Sequence, residues 1–268
     1  MSKDQNDHQL EVAAIVTAMT DAEQPFVRDT VESVLADPGI GQVVMCIERQ
    51  NTWIHQVLGD LMSDPRLEVL QIPLMPLGAV RNQALKQVRM PWVAYCDGDD
   101  IWCQGKTLTQ LNYAKTTGCD FVGADNYLTN EQGKIRAFAL SLYLPMPSAW
   151  MVKTAVMRAH PFNQVPFSVQ EEAGEWWIRT NGQVSKARCP KMLLRYRVRS
   201  NSLSTQTPSM QRKTKIVNLA NKPILGPIIF VVTWCVWLFT RKNTFIWNEG
   251  WGEQSENNID LGIKNQCE

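Results

Sequence analysis

Trp92-Val93-Ala94-Tyr95-Cys96-Asp97-Gly98-Asp99-Asp100 is the stretch on which the reading of this chain turns. Its first five residues carry no charge and predict a buried strand. That strand runs straight into three carboxylates within four positions. Close like charges are costly once they are partly desolvated. A divalent cation resolves the conflict, because Mg2+ or Mn2+ takes hard oxygen ligands, typically one or two carboxylates plus substrate phosphates. Such an ion offsets the charge that develops on a departing diphosphate. Taken alone, the four residues fit equally well a solvated Asp-rich turn capping a helix that begins near Trp102.

On the N-terminal side, Val12–Thr17 and Val43–Ile47 are further short apolar runs, and Leu67–Ile72 is another strand candidate. Phe26–Ala36, His55–Met62 and Gly78–Arg89 carry apolar residues at helical spacing. Alternating strands and helices predict an α/β fold with a mainly parallel central sheet flanked by helices. Ligands of such sheets sit beyond the carboxyl ends of the strands. The polar clusters Thr17–Asp21, Glu48–Asn51 and Asp97–Asp100 all fall there.

The bulk composition excludes more than it assigns. Lys+Arg 27 against Asp+Glu 26 leaves a net charge of +1 in 268 residues, which gives no electrostatic case for a nucleic-acid partner. The seven cysteines are scattered without a C-x-x-C pair and read as reduced residues of a cytoplasmic protein. His8, His55 and His160 are too far apart in sequence to suggest a metal site or a triad.

Four blocks together resemble the family-2 glycosyltransferases of bacterial polysaccharide type. YCDGDDIW, preceded by MPWVA, is similar to their D-x-D-D element. Gly78-Ala79-Val80-Arg81-Asn82-Gln83-Ala84-Leu85 looks like the G-x-x-x-R-N helix before it. VAAIVTAMTDAEQPFVRDTVESVL is similar to the opening strand and helix, and LLRYRVRSNSLS (193–204) to the closing strand. The resemblance spans roughly residues 10 to 205. It implies the GT-A (nucleotide-diphospho-sugar transferase) fold and transfer of a sugar from a nucleotide-sugar donor to a saccharide or lipid-linked acceptor, with Mn2+ or Mg2+. A catalytically weak, sugar-nucleotide-binding or scaffolding subunit of a polysaccharide assembly complex is the alternative.

The resemblance also implies roles. Asp99 is the expected metal ligand, and Asp97 shares the metal or contacts the ribose. Thr17, Glu48, Arg81 and Arg199 are the expected donor contacts, Glu48 toward a uracil or thymine base. Two departures stand out. The family's Glu-Asp before Trp-Leu-Arg becomes Glu172-Ala173 here, so the expected base is Glu172, or Glu171 with a shift of register, with Glu175 a weaker candidate. Arg199 stands where the family often has His. Trp150, Trp176 and Trp177 are candidate acceptor contacts, with core packing as the other use of those rings.

The expected organisation is a tail (1–10), the transferase domain (11–205), a basic linker or surface helix (206–222), an apolar helix (223–242) and a polar tail (243–268). From Pro223 to Thr240 no residue is charged. As a helix this stretch extends about 27 Å, near the lower limit for a bilayer. Spanning, lying in the interface and packing on protein are all open to it. Attachment would be to the cytoplasmic face, because basic residues before the stretch exceed those after it.

Overall fold

The computed structural model of the protein describes residues 10–141, 144–163 and 172–199, together with Ile228 and Val231. The first half is built as its sequence suggests. β1 (Val12–Ala18), β2 (Ile40–Glu48), β3 (Leu67–Ile72) and β4 (Trp92–Asp97) pair in parallel in the order β3-β2-β1-β4. They are joined by α1 (Val27–Leu35), α2 (Ile54–Leu58) and α3 (Leu77–Gln87). All seven residues of β1 are buried, as a central strand covered on both faces requires. Its side chains alternate: Val12, Ala14, Val16 and Ala18 join one core with α1, while Ala13 and Ile15 join the other with α3.

The second half corrects the expectation of a mainly parallel sheet. It comprises β5 (Ile101–Trp102), α4 (Lys106–Thr117), β6 (Phe121–Thr129), β7 (Ile135–Ala139), β8 (Met151–Lys153), α5 (Thr154–Ala159), α6 (Glu172–Arg179) and β9 (Lys186–Arg197). β8 lies antiparallel between β4 and β6, β5 is antiparallel to β9, and β7 to β6. Only β6–β9 is parallel there, so four of the eight ladders are parallel and the sheet is mixed. For β6 and β7 the cause is connection length. Asn130–Lys134 is a tight hairpin turn, closed by Asn130 N–H donating to the Lys134 carbonyl, and a short turn cannot return a parallel strand.

An aromatic cluster fills the core beneath α3, α5 and α6. Trp150 and Trp176 are wholly buried, with ring centroids 5.3 Å apart, and pack with Tyr95, Phe121 and Phe162. Their indole N–H groups donate to the carbonyls of Pro145 (2.8 Å) and His160 (2.6 Å). This corrects the acceptor role expected of Trp150 and Trp176, because neither offers any surface to a ligand. Trp177 is half-buried against Phe121 and the Lys186 ammonium. Cys46, Cys96, Cys119 and Cys189 are free thiols, as expected.

Apart from Ile228 and Val231, the apolar stretch 223–242 lies outside the described residues, as do the linker 206–222, the tail 243–268 and Glu171. Among the described residues no helix is long and apolar enough to cross a membrane.

Candidate active site

The ends of β1, β2 and β4 meet at one edge of the sheet. Thr17 stands in register with Asp97 on one side and Cys46 on the other, two residues before Glu48. The Thr17 hydroxyl donates to Asp97 Oδ1 at 3.1 Å, and its carbonyl accepts the Gly98 N–H at 2.8 Å. Thr17 thus meets the acidic turn with both its side chain and its backbone. The chain approaches so closely here that a Cβ on Gly98 would lie 2.9 Å from both the Thr17 carbonyl and the Ala18 Cβ. Asp100 N–H then donates to the Asp97 carbonyl at 3.0 Å, closing the turn that gathers the three carboxylates.

Each carboxylate of the turn meets a different environment. Asp97 keeps partial exposure and accepts from Arg81 at 2.7 Å. Asp99 is ion-paired with Arg199 at 2.6 Å, in a geometry that is not an aligned hydrogen bond. Burial pushes the Asp99 carboxyl up to about 6; Arg199 opposes the rise, and Asp97 and Glu23 add to it. Asp100 is fully buried and accepts the Arg197 backbone N–H at 3.0 Å. Its carboxyl lies well above the ordinary range through burial, then through Asp99 and Asp97.

Arg81, an expected donor contact, reaches the acidic turn from α3. Only 1% exposed, it donates to Asp97 and, at 2.9 Å, to Glu172 at the first turn of α6. Its guanidinium also lies 5.8 Å from the Tyr95 ring centroid and 5.7 Å from that of Phe162. Burial alone would lower the Arg81 pKa; the charges of Asp97 and Glu172 outweigh it, and the net direction is upward. Asn82, next to it, exchanges two hydrogen bonds with the Phe162 backbone and so ties α3 to the segment approaching α6.

Glu48 is 9% exposed, and one of its carboxylate oxygens accepts the Gln50 N–H at 2.7 Å. Glu175 is taken up by Arg179 at 2.6 Å and Asn163 at 2.8 Å, leaving Glu172 as the α6 carboxylate that reaches the acidic turn's partner.

Residues 8–214 match the sequence model of glycosyltransferase-like family 2. The chain belongs to this family. Among solved structures, this family-2 chain is similar to S. aureus TarS. One structure, TarS 1–349 with UDP-GlcNAc, is 15% identical with a TM-score of 0.58, covering 78% of this chain and 66% of that one. A longer TarS structure gives 15% and 0.56, with 78% and 40% covered. TarS 1–349 with UDP gives 15% and 0.55, with 79% and 65% covered. The likeness is one of fold, the GT-A fold, and this chain spans no more than about two thirds of those it matches. No curated protein matches it.

Two residues of this family-2 site escaped the sequence reading. Arg197 braces the acidic turn through its backbone and through Nε, which donates to the Asp99 carbonyl at 2.9 Å. Its signal lay in the alternation of Arg195, Arg197 and Arg199 along one strand face. Ser148 accepts the Asp97 N–H at 3.0 Å, and nothing in its sequence neighbourhood marks it.

Proposed function

We propose that this family-2 chain transfers a sugar from a nucleoside-diphosphate sugar, with UDP- or TDP-sugars as donors, to a saccharide or lipid-linked acceptor of polysaccharide synthesis, with inversion. The observation that carries this is the acidic turn Asp97–Asp100, held at the sheet's carboxyl edge between Arg81 and Arg199. The TarS structures with UDP-GlcNAc and UDP support a uridine donor. Glu48 meets the base with the oxygen that Gln50 leaves open, and Arg199 turns to the diphosphate.

The donor set suits Mg2+ or Mn2+. With the fully buried Asp100 set aside, four carboxylates (Asp97, Asp99, Glu172 and Glu23) face three guanidinium groups (Arg81, Arg197 and Arg199), a local excess of negative charge on hard oxygens. Among the described residues no three side chains form a ready metal cluster, so Asp99 and Asp97 would hold the ion together with phosphate oxygens and water. When bound, the ion offsets charge on the leaving diphosphate.

Transfer then needs a base. The acceptor hydroxyl attacks the anomeric carbon, the bond to the diphosphate breaks, and Glu172 takes the hydroxyl proton. Arg81, donating to its carboxylate, holds Glu172 oriented for this. A second reading has its own support: Ala173 replaces the family's Asp, and Glu172 is only 6% exposed. On that reading the chain binds nucleotide-sugar without efficient transfer.

Release of nucleoside diphosphate from UDP- and TDP-sugars with Mn2+ or Mg2+ separates the two. Metal-dependent release supports the transferase; donor binding without release from any donor supports the binding subunit. The stretch 223–242 supports attachment to the cytoplasmic face of the membrane. Equal detergent-free solubility of the full chain and one ending near Gln211 would count against it.

A further inference from the structure

A cavity of about 520 Å3 opens beside the acidic turn, between the start of α1, β5 and the ends of β6 and β9. Its size falls within the roughly 300–1,000 Å3 of ordinary ligand sites. Its lining includes Phe26, Asp29, Thr129, Gln132, Arg195 and Arg197, with Glu131 as a second acidic residue. Residues two apart on a strand share a face, so β9 directs Arg195 and Arg197 the same way, with Arg199 following just beyond its end.

The three arginines are committed to very different degrees. Arg199 is held by Asp99, by Glu23 at 3.4 Å and by the Ala22 carbonyl at 2.9 Å. Arg197 donates to the carbonyls of Asp99 and Glu131, lies 4.3 Å from the Phe26 ring centroid, and has Asp29 no nearer than 3.9 Å. Arg195 is different: its Nε is shielded from solvent and has no hydrogen-bond partner among the described residues. Shielded donors of this kind are seldom left unmatched, and the group that matches a guanidinium best is an anion accepting two hydrogen bonds.

We propose that this cavity is an acceptor subsite for a negatively charged saccharide unit, its carboxylate or phosphate held by Arg195. The proposal rests on the transferase reading above. The exposed carboxylate of Asp29 and the side chains of Thr129 and Gln132 suit sugar hydroxyls. Arg197 forms the wall between cavity and donor turn, bonded to Asp99 on one side and facing the cavity on the other. A saccharide chain seated here therefore ends beside the donor.

Calorimetry on the full chain tests this, with UDP titrated first as the control for the donor site. The probes are a galacturonate trimer, a trimer of phosphorylated glucose and the neutral maltotriose. At least one charged trimer is expected to bind roughly tenfold or more tighter than maltotriose, and to weaken as salt is added. Arg195→Gln should erase that preference and Arg195→Lys should recover part of it, with UDP affinity unchanged in both. Whichever charged trimer is preferred names the anion. Equal binding of charged and neutral trimers by the wild type overturns the proposal, and so does an undiminished preference in Arg195→Gln. Failure of the wild type to bind UDP would instead count against the nucleotide-sugar reading itself.

Discussion

Arg81 and Glu172, 91 positions apart in the chain, form a buried ion pair 2.9 Å long, and the same guanidinium grips Asp97. The acidic turn after β4 and the first turn of α6 are thereby held by one side chain. The fit is close, since a Cβ on Gly78, one helical turn before Arg81, would lie 3.3 Å from the Glu172 Cβ. The donor turn and the proposed base are therefore fixed relative to one another.

Removing one partner of a buried ion pair strands the other charge. Arg81→Met is expected to lower unfolding free energy by about 3–5 kcal/mol in urea titrations. Adding Glu172→Gln to it should cost less than the sum of the two single changes, because the stranded carboxylate is gone. Strict additivity would mean that the pair is not coupled.

The proposed role of Glu172 as base is separable from its pairing with Arg81. Glu172→Gln should reduce transfer by a factor of about 10²–10⁴ while UDP affinity is kept. Transfer at the wild-type rate would move the base to Glu171 or Glu175 and leave Glu172 as an anchor for Arg81.

Lys106 gives a pH signature distinct from the site. Fully buried, its ammonium has the Trp150 carbonyl at 3.5 Å and the Trp102 ring at 4.1 Å, and burial lowers its pKa to about 8. Between pH 8 and its ordinary value of 10.5, the unfolded chain binds more protons than the folded one. Stability from this group therefore rises with pH across that window, and the charge is penalised in full below it. The span is up to ~3 kcal/mol. Lys106→Met should flatten that part of the stability–pH curve; an unchanged slope would show that Lys106 is not its source.

Much of this architecture is legible in the sequence. β1, β2 and β4 lie within a few residues of the charge-free runs, because a strand buried on both faces leaves that signature, while the edge strand β3 carries Glu68 and is only partly buried. The acidic turn follows β4 as expected. The antiparallel second half left no such mark: β8 has three residues and β5 two, too few for a periodic pattern. Trp150 and Trp176 could serve a sugar or a core equally well on sequence alone, and only their burial decides it. The pairing of Arg81 with Glu172 was not legible, since no local pattern shows which carboxylates will face a helix side chain across 91 positions.

The central claim is that the Asp97–Asp100 turn is a metal-dependent donor site, and Asp99 carries it. Calorimetric titration of UDP into the full chain, with and without Mn2+, tests this in the wild type and in Asp99→Ala. Metal-enhanced binding in the wild type, abolished in Asp99→Ala while the fold is retained, is the predicted result. An identical Mn2+ enhancement in both proteins would contradict it.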